Sequence, residues 1–182
     1  MTDTGRFLTA LGRVIRAVTG TRRRTPSTAD AAGGVSVSTD LLSPGQAGPS
    51  ATIEVDARRL RSVRLAYTPS RDGDPDPGEI VWTWVPYEEN DGRGKDRPVA
   101  IVAASGRGEF LAVQLTSKGD DRDPDHVPLG VGPWDSAGRP SWARTDRIFR
   151  VRAEGMRREA ASLDAARYAT LTRALSARYG WR

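Results

Sequence analysis

The stretch PGEIVWTWVP, residues 77–86, decides the fold. A proline and a glycine open it, and eight residues rich in β-branched and aromatic side chains follow, which predicts a strand over residues 79–86. Both faces of this strand carry mostly apolar side chains: Ile80, Trp82 and Trp84 on one face, Val81, Thr83 and Val85 on the other. Because a strand at the edge of a sheet rarely buries both faces, this strand is expected near the centre of a sheet.

Shorter strands are predicted on both sides of this stretch from the same alternation of apolar side chains. Their ranges are 53–55, 63–67, 98–103, 110–115, 126–129, 141–143 and 147–151. A polar loop is expected over residues 87–96, and the glycines of 105–108 predict a hairpin turn. Beyond residue 77, helix signals appear only near the end, with Ser162 as the expected N-cap and Gly180 as the stop. Several short strands and one helix predict a small β-barrel, since closure removes exposed edges.

The chain divides by composition into three regions. Residues 1–50 are predicted to hold a short amphipathic helix at 5–19 and then a flexible linker rich in Gly, Ser, Thr and Pro. Residues 51–76 form an extension whose structure the pattern leaves open. Residues 77–182 are predicted to form the barrel domain.

Charge and composition narrow the classes of function. The 182-residue chain has a net charge of +5, and eleven arginines against four acidic residues lie in residues 139–182. Such a basic third attracts phosphates, although a solvated helix face gives the same pattern. No segment is apolar enough over the roughly 20 residues that a membrane helix needs. A cytoplasmic protein is therefore expected, and membrane association is not.

The acidic loops and the single histidine exclude several kinds of site. Asp121, Asp123 and Asp125 have the spacing of calcium ligands, but His126 stands where that loop needs glycine. One histidine cannot provide a two-histidine nuclease mechanism within one chain, and the absence of cysteine excludes disulfides and thiolate metal sites. No metal or other cofactor is predicted.

The order of the remaining motifs resembles a known family. PGEIVW at 77–82 and RPVAIV at 97–102, with a polar loop between them, are similar to the opening of PemK/MazF toxins. FLAVQLT at 110–116, DHVPL at 125–129 and RTDRI at 144–148 follow in the family's order, before a final leucine-rich helix. The resemblance covers about residues 77–182. It implies a toxin of a type II toxin–antitoxin system with an SH3-like barrel, a homodimer that cleaves RNA in a groove at its interface, and a cognate antitoxin.

The resemblance also implies site residues. Some members of the family use an arginine and a threonine that match Arg97 and Thr116, and others use a pair that matches Arg144 and Asp146. This chain has both sets, so the assignment of roles stays open. Nearby basic residues are predicted RNA contacts: Arg93, Lys95, Lys118 and Arg147. Trp134 and Trp142 are expected either to stack on bases or to lie in the core.

These residue types suit RNA cleavage without a metal. The 2′-OH attacks the phosphorus, which requires a base, a stabiliser of phosphate charge and a proton donor for the leaving oxygen. Asp146 is the expected base, on condition that burial raises its pKa. Arg97 and Arg144 are expected to hold the phosphate, with one more hydrogen bond from Thr116. Arg144 is the hypothesised proton donor, although arginine holds its proton tightly.

Two other functions fit the same fold. A non-catalytic barrel that binds nucleic acid or a partner protein would be insensitive to loss of Arg97 or Asp146. A toxin that inhibits DNA gyrase by protein contacts would also tolerate Arg97→Ala. The sequence alone therefore favours a sequence-specific endoribonuclease acting on single-stranded RNA, with these two functions as alternatives.

Overall fold

The computed structural model describes residues 42–70 and 72–182. The predicted amphipathic helix at 5–19 and the linker up to residue 41 lie outside the described residues. Within the described ranges, no helix is long and apolar enough to cross a bilayer.

Seven antiparallel strands and one α-helix make up the described domain. The elements are β1 (Ile53–Val55), β2 (Glu79–Pro86), β3 (Gly94–Gly106), β4 (Glu109–Thr116), β5 (His126–Gly130), β6 (Ser141–Arg152), β7 (Arg157–Ser162) and α1 (Ala165–Tyr179). Six strands lie side by side in the order β1-β6-β4-β3-β2-β7, and β5 pairs with β6. The predicted mainly β fold with one C-terminal helix is confirmed.

The sheet curls and buries apolar side chains on both faces. Arg147 of β6 donates a hydrogen bond to the Pro86 carbonyl at the end of β2 at 2.9 Å, although β4 and β3 lie between these strands. One buried cluster includes Val113 of β4 and Leu171 of α1. A second cluster, which includes Phe149 of β6, lies on the other face. The strands that carry the site are therefore held from both sides.

Several predicted boundaries are confirmed and others are wrong. β2 begins and ends where the sequence predicted, and the hairpin between β3 and β4 turns at the predicted glycines. The polar loop is shorter than predicted, because β3 already begins at Gly94. A Cβ atom on Gly94 would come within 2.5 Å of the Trp84 indole nitrogen, so only glycine permits this close approach.

The strand predicted over 63–67 does not form. The Val63 carbonyl and the Leu65 N–H both bond to Arg182, which belongs to no strand, so within the described residues this segment has no strand partner. In contrast, β7 was not predicted, because RREAAS lacks alternating apolar side chains; its pairing with β2 supplies the order. The helix N-cap is Asp164, which accepts from the Arg167 N–H at 2.8 Å, and not Ser162, which ends β7.

A wide bulge in β6 determines the geometry of the site. Val113 of β4 pairs with Ile148, but Leu115, two residues further, pairs with Ala143. Gln114 alone therefore faces residues 144–147. Extra residues on one strand bend it and redirect its side chains, which is common beside functional sites. The bulge also explains why the sequence predicted two short strands where β6 is one.

Residues 42–56 pack on the barrel, although residues up to 50 were predicted to be flexible linker. The Trp84 N–H donates to the Pro44 carbonyl at 2.9 Å, and the hydroxyls of Thr52 and Thr83 are 2.6 Å apart. β1 then adds to the free edge of β6. The linker prediction is wrong for residues 42–50, because buried threonine hydroxyls and backbone groups bind this segment to β2.

Gly45→Ala is expected to lower the free energy of unfolding by about 1–3 kcal/mol more than Gly48→Ala. Both glycines have positive φ angles, +79° and +76°. A Cβ on Gly45 would lie 2.2 Å from Thr83 Oγ1, whereas a Cβ on Gly48 meets no atom within 4 Å. Urea unfolding of the two variants separates the clash from the backbone strain. Equal losses would mean that the segment is not packed on β2 in solution.

Candidate functional site

Two adjoining clefts open where β3 begins, β4 ends and β6 bulges. The large cleft has a volume of about 760 Å³ and the small cleft about 390 Å³. Arg97, Gln114 and Arg144 line both, so they form the wall between them. A third cavity of about 410 Å³, beside β7, is lined by none of the predicted site residues.

Arg97 and Thr116 come together across β3 and β4. Val99 pairs with Gln114, so the antiparallel register brings Arg97, two residues earlier, next to Thr116. Within the described residues, the Arg97 guanidinium has no hydrogen bond or ion pair. Thr116 Oγ1 accepts from the Lys118 N–H at 3.1 Å, which leaves its hydroxyl proton free to donate. Both side chains line the large cleft.

Arg144 and Asp146 form a two-pronged ion pair on β6. Arg144 Nε and Nη2 donate to the two Asp146 carboxylate oxygens at 3.1 and 2.5 Å. The remaining Arg144 nitrogen, Nη1, donates to Glu88 Oε1 at 2.7 Å. Arg144 lines both clefts, whereas Asp146 stands behind it and lines neither. A ligand that enters either cleft therefore meets Arg144 before Asp146.

This pairing sets the pKa values of both groups. Burial raises the pKa of Asp146, but the hydrogen bonds and the positive charge of Arg144 outweigh it and hold that pKa below its ordinary value. The same hydrogen bonds, together with the one that Arg144 donates to Glu88, raise the pKa of Arg144 further. The condition set for Asp146 as a base, a raised pKa, is therefore not met in the unliganded chain. Arg144 is likewise a poorer proton donor than a free arginine.

Three basic side chains in the large cleft are unpaired within the described residues. Lys95, Arg97 and Lys118 line it, and within the described chain none of them has a carboxylate partner. Each carboxylate on its walls has a basic partner. The pairs are Asp96–Arg157, Glu159–Arg157, Asp123–His126, Asp125–Arg178 and Asp135–Arg139. Asp96 and Glu159 share the single Arg157, and the partner of Asp123 is a histidine. The three unpaired cations are nevertheless the groups that an anionic ligand would meet without displacing a carboxylate.

The other two predicted RNA contacts are less available. Arg93 lines the small cleft, but its Nε donates to Asp91 at 2.7 Å. Arg147 is 7% exposed and binds Glu54 of β1 as well as the Pro86 carbonyl. Arg147 therefore fixes the bulge to its neighbours, a role that the sequence did not suggest.

The two tryptophans considered for base stacking are both engaged. Trp134 is buried in the core, where its indole N–H donates to Ser141 Oγ at 3.1 Å. Trp142 lies outside the clefts, and its N–H donates to Asp121 at 2.6 Å. Trp134 borders the large cleft, but it is only 3% exposed. Across residues 42–70 and 72–182, no group of three or more His, Asp or Glu side chains is placed to hold a metal ion.

The sequence matches a family model over most of the strand-rich domain. The model, described as a PemK-like, MazF-like toxin of type II toxin–antitoxin systems, matches residues 76–178. The chain belongs to this family. The matched segment begins just before β2 and ends inside α1, so β1 and the residues before it lie outside the segment that this PemK-like toxin shares with the family model.

Three solved structures that are similar to this chain are distant from it in sequence. A MazE–MazF complex from Deinococcus radiodurans is 18% identical, with a TM-score of 0.45, covering 58% of this chain and 96% of that one. Toxin MazF-mt6 of Mycobacterium tuberculosis is 16% identical, with a TM-score of 0.42 and coverages of 56% and 98%. An endoribonuclease from a mycobacterial species is 20% identical, with a TM-score of 0.42 and coverages of 59% and 92%. No curated protein matches the PemK-like toxin.

Two residues of the clefts were not identified as site residues from the sequence of this PemK-like toxin. Gln114 is 6% exposed and lies opposite the bulge, between Arg97 and Arg144. The sequence signal that could have identified Gln114 is its polar side chain inside the otherwise apolar run FLAVQL, residues 110–115. His126 lines the large cleft and pairs with Arg144 across β5 and β6. Arg144, its cross-strand partner, lies 18 positions further along the chain, and no local sequence pattern indicates such a pairing.

Proposed function

We propose that this toxin is a sequence-specific endoribonuclease that cuts single-stranded RNA by attack of the 2′-OH, without a metal ion. The observation that carries the proposal is the unpaired Arg97 beside Thr116, in a cleft that two further unpaired cations, Lys95 and Lys118, also line. A phosphate diester is the anion that such donors suit, because guanidinium and hydroxyl groups bind several of its oxygens at once.

Each predicted catalytic residue then has a role. Arg97 and Arg144 hold the scissile phosphate and stabilise the charge that builds on its oxygens, and Thr116 donates one further hydrogen bond. Lys95 and Lys118, at the rim, contact flanking phosphates, and Arg93 reaches RNA only when it leaves Asp91. Arg147 supports the bulge and does not contact RNA.

Asp146 is proposed to become a base only when substrate is bound. Its pKa is held down by Arg144. A phosphate that binds Arg144 competes for the same guanidinium, weakens its hold on the carboxylate and lets the pKa of Asp146 rise. The base would thus be activated by the RNA that it acts on. The raised pKa of Arg144 argues against that residue as the proton donor.

The toxin is further proposed to act in the cytoplasm as a homodimer, with residues 77–182 as its catalytic domain. A cognate antitoxin would inhibit it through an acidic segment, as the carboxylate of Glu88 already occupies one arginine of the site. Acidic segments that fold on binding suit such a groove.

The first test is cleavage of long single-stranded RNA by the purified full-length chain in EDTA. Discrete cuts that leave a 2′,3′-cyclic phosphate and a 5′-OH are expected, and RNA carrying 2′-O-methyl groups throughout should stay intact. Cleavage that needs Mg²⁺ would contradict the metal-free mechanism. Intact RNA from a folded dimer would favour the binding module, and inhibition of gyrase supercoiling would favour the other alternative.

Glu88→Gln is expected to strengthen binding of single-stranded 2′-O-methyl RNA by up to about fivefold at low salt. The Glu88 side chain is 62% exposed, and an exposed ion pair is worth at most about 1 kcal/mol, so the gain is small. Glu89→Gln is the matched control, because it removes the same charge from the small cleft but breaks no ion pair within the described chain. Fluorescence anisotropy measures both. Equal gains in RNA affinity for the two variants would mean that the effect comes from the change in net charge and not from release of Arg144.

A further inference from the structure

The proposed cleavage still lacks a proton donor for the leaving oxygen. Arginine holds its proton far above neutral pH, and the two carboxylates nearest Arg144, those of Asp146 and Glu88, already accept hydrogen bonds from it. Without a donor, the departing 5′-oxygen leaves as an alkoxide, which is a poor leaving group.

His126 is the side chain of the large cleft that suits this role. It pairs directly with Arg144 in the β5–β6 ladder, so both side chains project from the same face. It lines the same cleft as Arg97 and Thr116, and its side chain is 13% exposed. Imidazole is the group that gains and loses a proton near neutral pH.

The hydrogen bonds of the ring orient it for proton transfer. Nδ1 lies 3.3 Å from the Asp120 N–H, which donates to it, and 3.3 Å from Asp123 Oδ2. The first contact suits the neutral ring that carries its proton on Nε2, and the second suits a ring that is protonated at Nδ1. Both neighbours therefore engage Nδ1, and within the described residues Nε2 has no partner. Nε2 is thus the nitrogen that can meet a ligand in the cleft.

We propose that His126 is the general acid, which protonates the leaving 5′-oxygen through Nε2. This inference rests on the proposed ribonuclease function and adds to it a catalytic residue outside the predicted set. Asp123 is its positioning residue, because its carboxylate accepts from Nδ1–H of the protonated ring.

The reaction balances with the groups present. The 2′-oxygen bonds to phosphorus while its proton passes to Asp146. The bond from phosphorus to O5′ breaks, and its electron pair stays on O5′, which takes the Nε2 proton of the imidazolium. The ring becomes neutral and keeps its other proton on Nδ1, beside Asp123. Solvent returns the proton from Asp146 to His126 before the next turnover.

The charged groups around the ring come from the preceding loop, from β6 and from α1. Asp120 and Asp123 approach from the preceding loop. Asp125 is bound to Arg178 of α1, and Arg144 to Asp146 and Glu88, so their charges are largely compensated. Among these carboxylates, that of Asp123 is the one that contacts Nδ1, at 3.3 Å.

The decisive experiment replaces the leaving oxygen by sulfur. An RNA is made with a bridging 5′-sulfur at the bond that the wild type cuts, because a thiolate departs without protonation. His126→Ala is expected to lower cleavage of the oxygen RNA by about 100-fold or more and to cut the sulfur RNA nearly as fast as the wild type. Arg97→Ala is the contrast, since loss of phosphate stabilisation slows both substrates.

The outcomes separate this inference from the function on which it rests. If the wild type cuts neither RNA, both the proposed ribonuclease function and the role of His126 are wrong. If His126→Ala slows both RNAs equally, or neither, the ribonuclease stands and the general acid is another group. Thermal unfolding confirms that the variant is folded, and His126→Gln replaces it if alanine is not tolerated.

The pH profile tests the positioning role of Asp123. Asp123→Asn removes the carboxylate that stabilises the imidazolium, so the alkaline limb of kcat/KM on the oxygen RNA is expected at lower pH than in the wild type. An unmoved limb would contradict a proton held between Nδ1 and Asp123.

Discussion

Replacing Arg97 by alanine is expected to lower kcat/KM for RNA cleavage by about 100- to 1000-fold. Arg97 supplies hydrogen bonds and charge to the phosphate oxygens, and these interactions are strongest in the transition state. The free energy of unfolding should barely change. Within the described residues, Arg97 has no carboxylate partner, so its removal leaves no buried charge behind.

The matched control for this variant is Arg173→Ala. Arg173 lies on the exposed side of α1, and its substitution changes the net charge by the same amount. Cleavage by this control should match the wild type, which would exclude a loss caused by weaker long-range attraction of RNA. An Arg97→Ala enzyme that cleaves at the wild-type rate would remove phosphate stabilisation by Arg97 from the mechanism. A loss of stability equal to the loss of activity would make Arg97 structural.

Local pattern predicted the regular parts of the fold well. β2 was predicted to the residue because its alternation, its opening proline and glycine and its length all agree. β7 was missed because its order comes from pairing with β2 and from the bidentate bond of Arg158 to Glu79, and neither contact is visible in RREAAS. Strand order that arises from neighbours is not encoded in the strand's own residues.

The site was predicted only in part, for a related reason. Arg97, Thr116 and Arg144 belong to motifs whose order along the chain indicated a site, and the structure brings them to one cleft. Gln114 and His126 enter that cleft through the bulge and through β5, which depend on register between distant segments. Arg147 was predicted to meet RNA, but Glu54, from a region that the sequence left open, binds it.

Asp146→Asn carries the second large effect, on both activity and stability. Cleavage at neutral pH should fall by about 100-fold or more, because the amide cannot take the 2′-OH proton. The free energy of unfolding at pH 7 should fall by about 1–3 kcal/mol, the value of hydrogen bonds between charged groups. Asp91→Asn is the control: its exposed pair with Arg93 should cost less than about 0.5 kcal/mol.

The pH dependence of that stability loss follows from the lowered pKa of Asp146 in the folded chain. A carboxyl whose pKa falls on folding contributes its full stabilisation above the unfolded value of about 3.9 and loses it as the pH drops through the folded pKa. Urea unfolding should therefore show wild type and Asp146→Asn converging as the pH falls below about 3.9. A difference that persists unchanged at lower pH would come from the shape of the bulge and not from the ion pair. In that case Arg144 would not hold down the pKa of Asp146, and the binding of RNA to Arg144 could not activate Asp146 as a base.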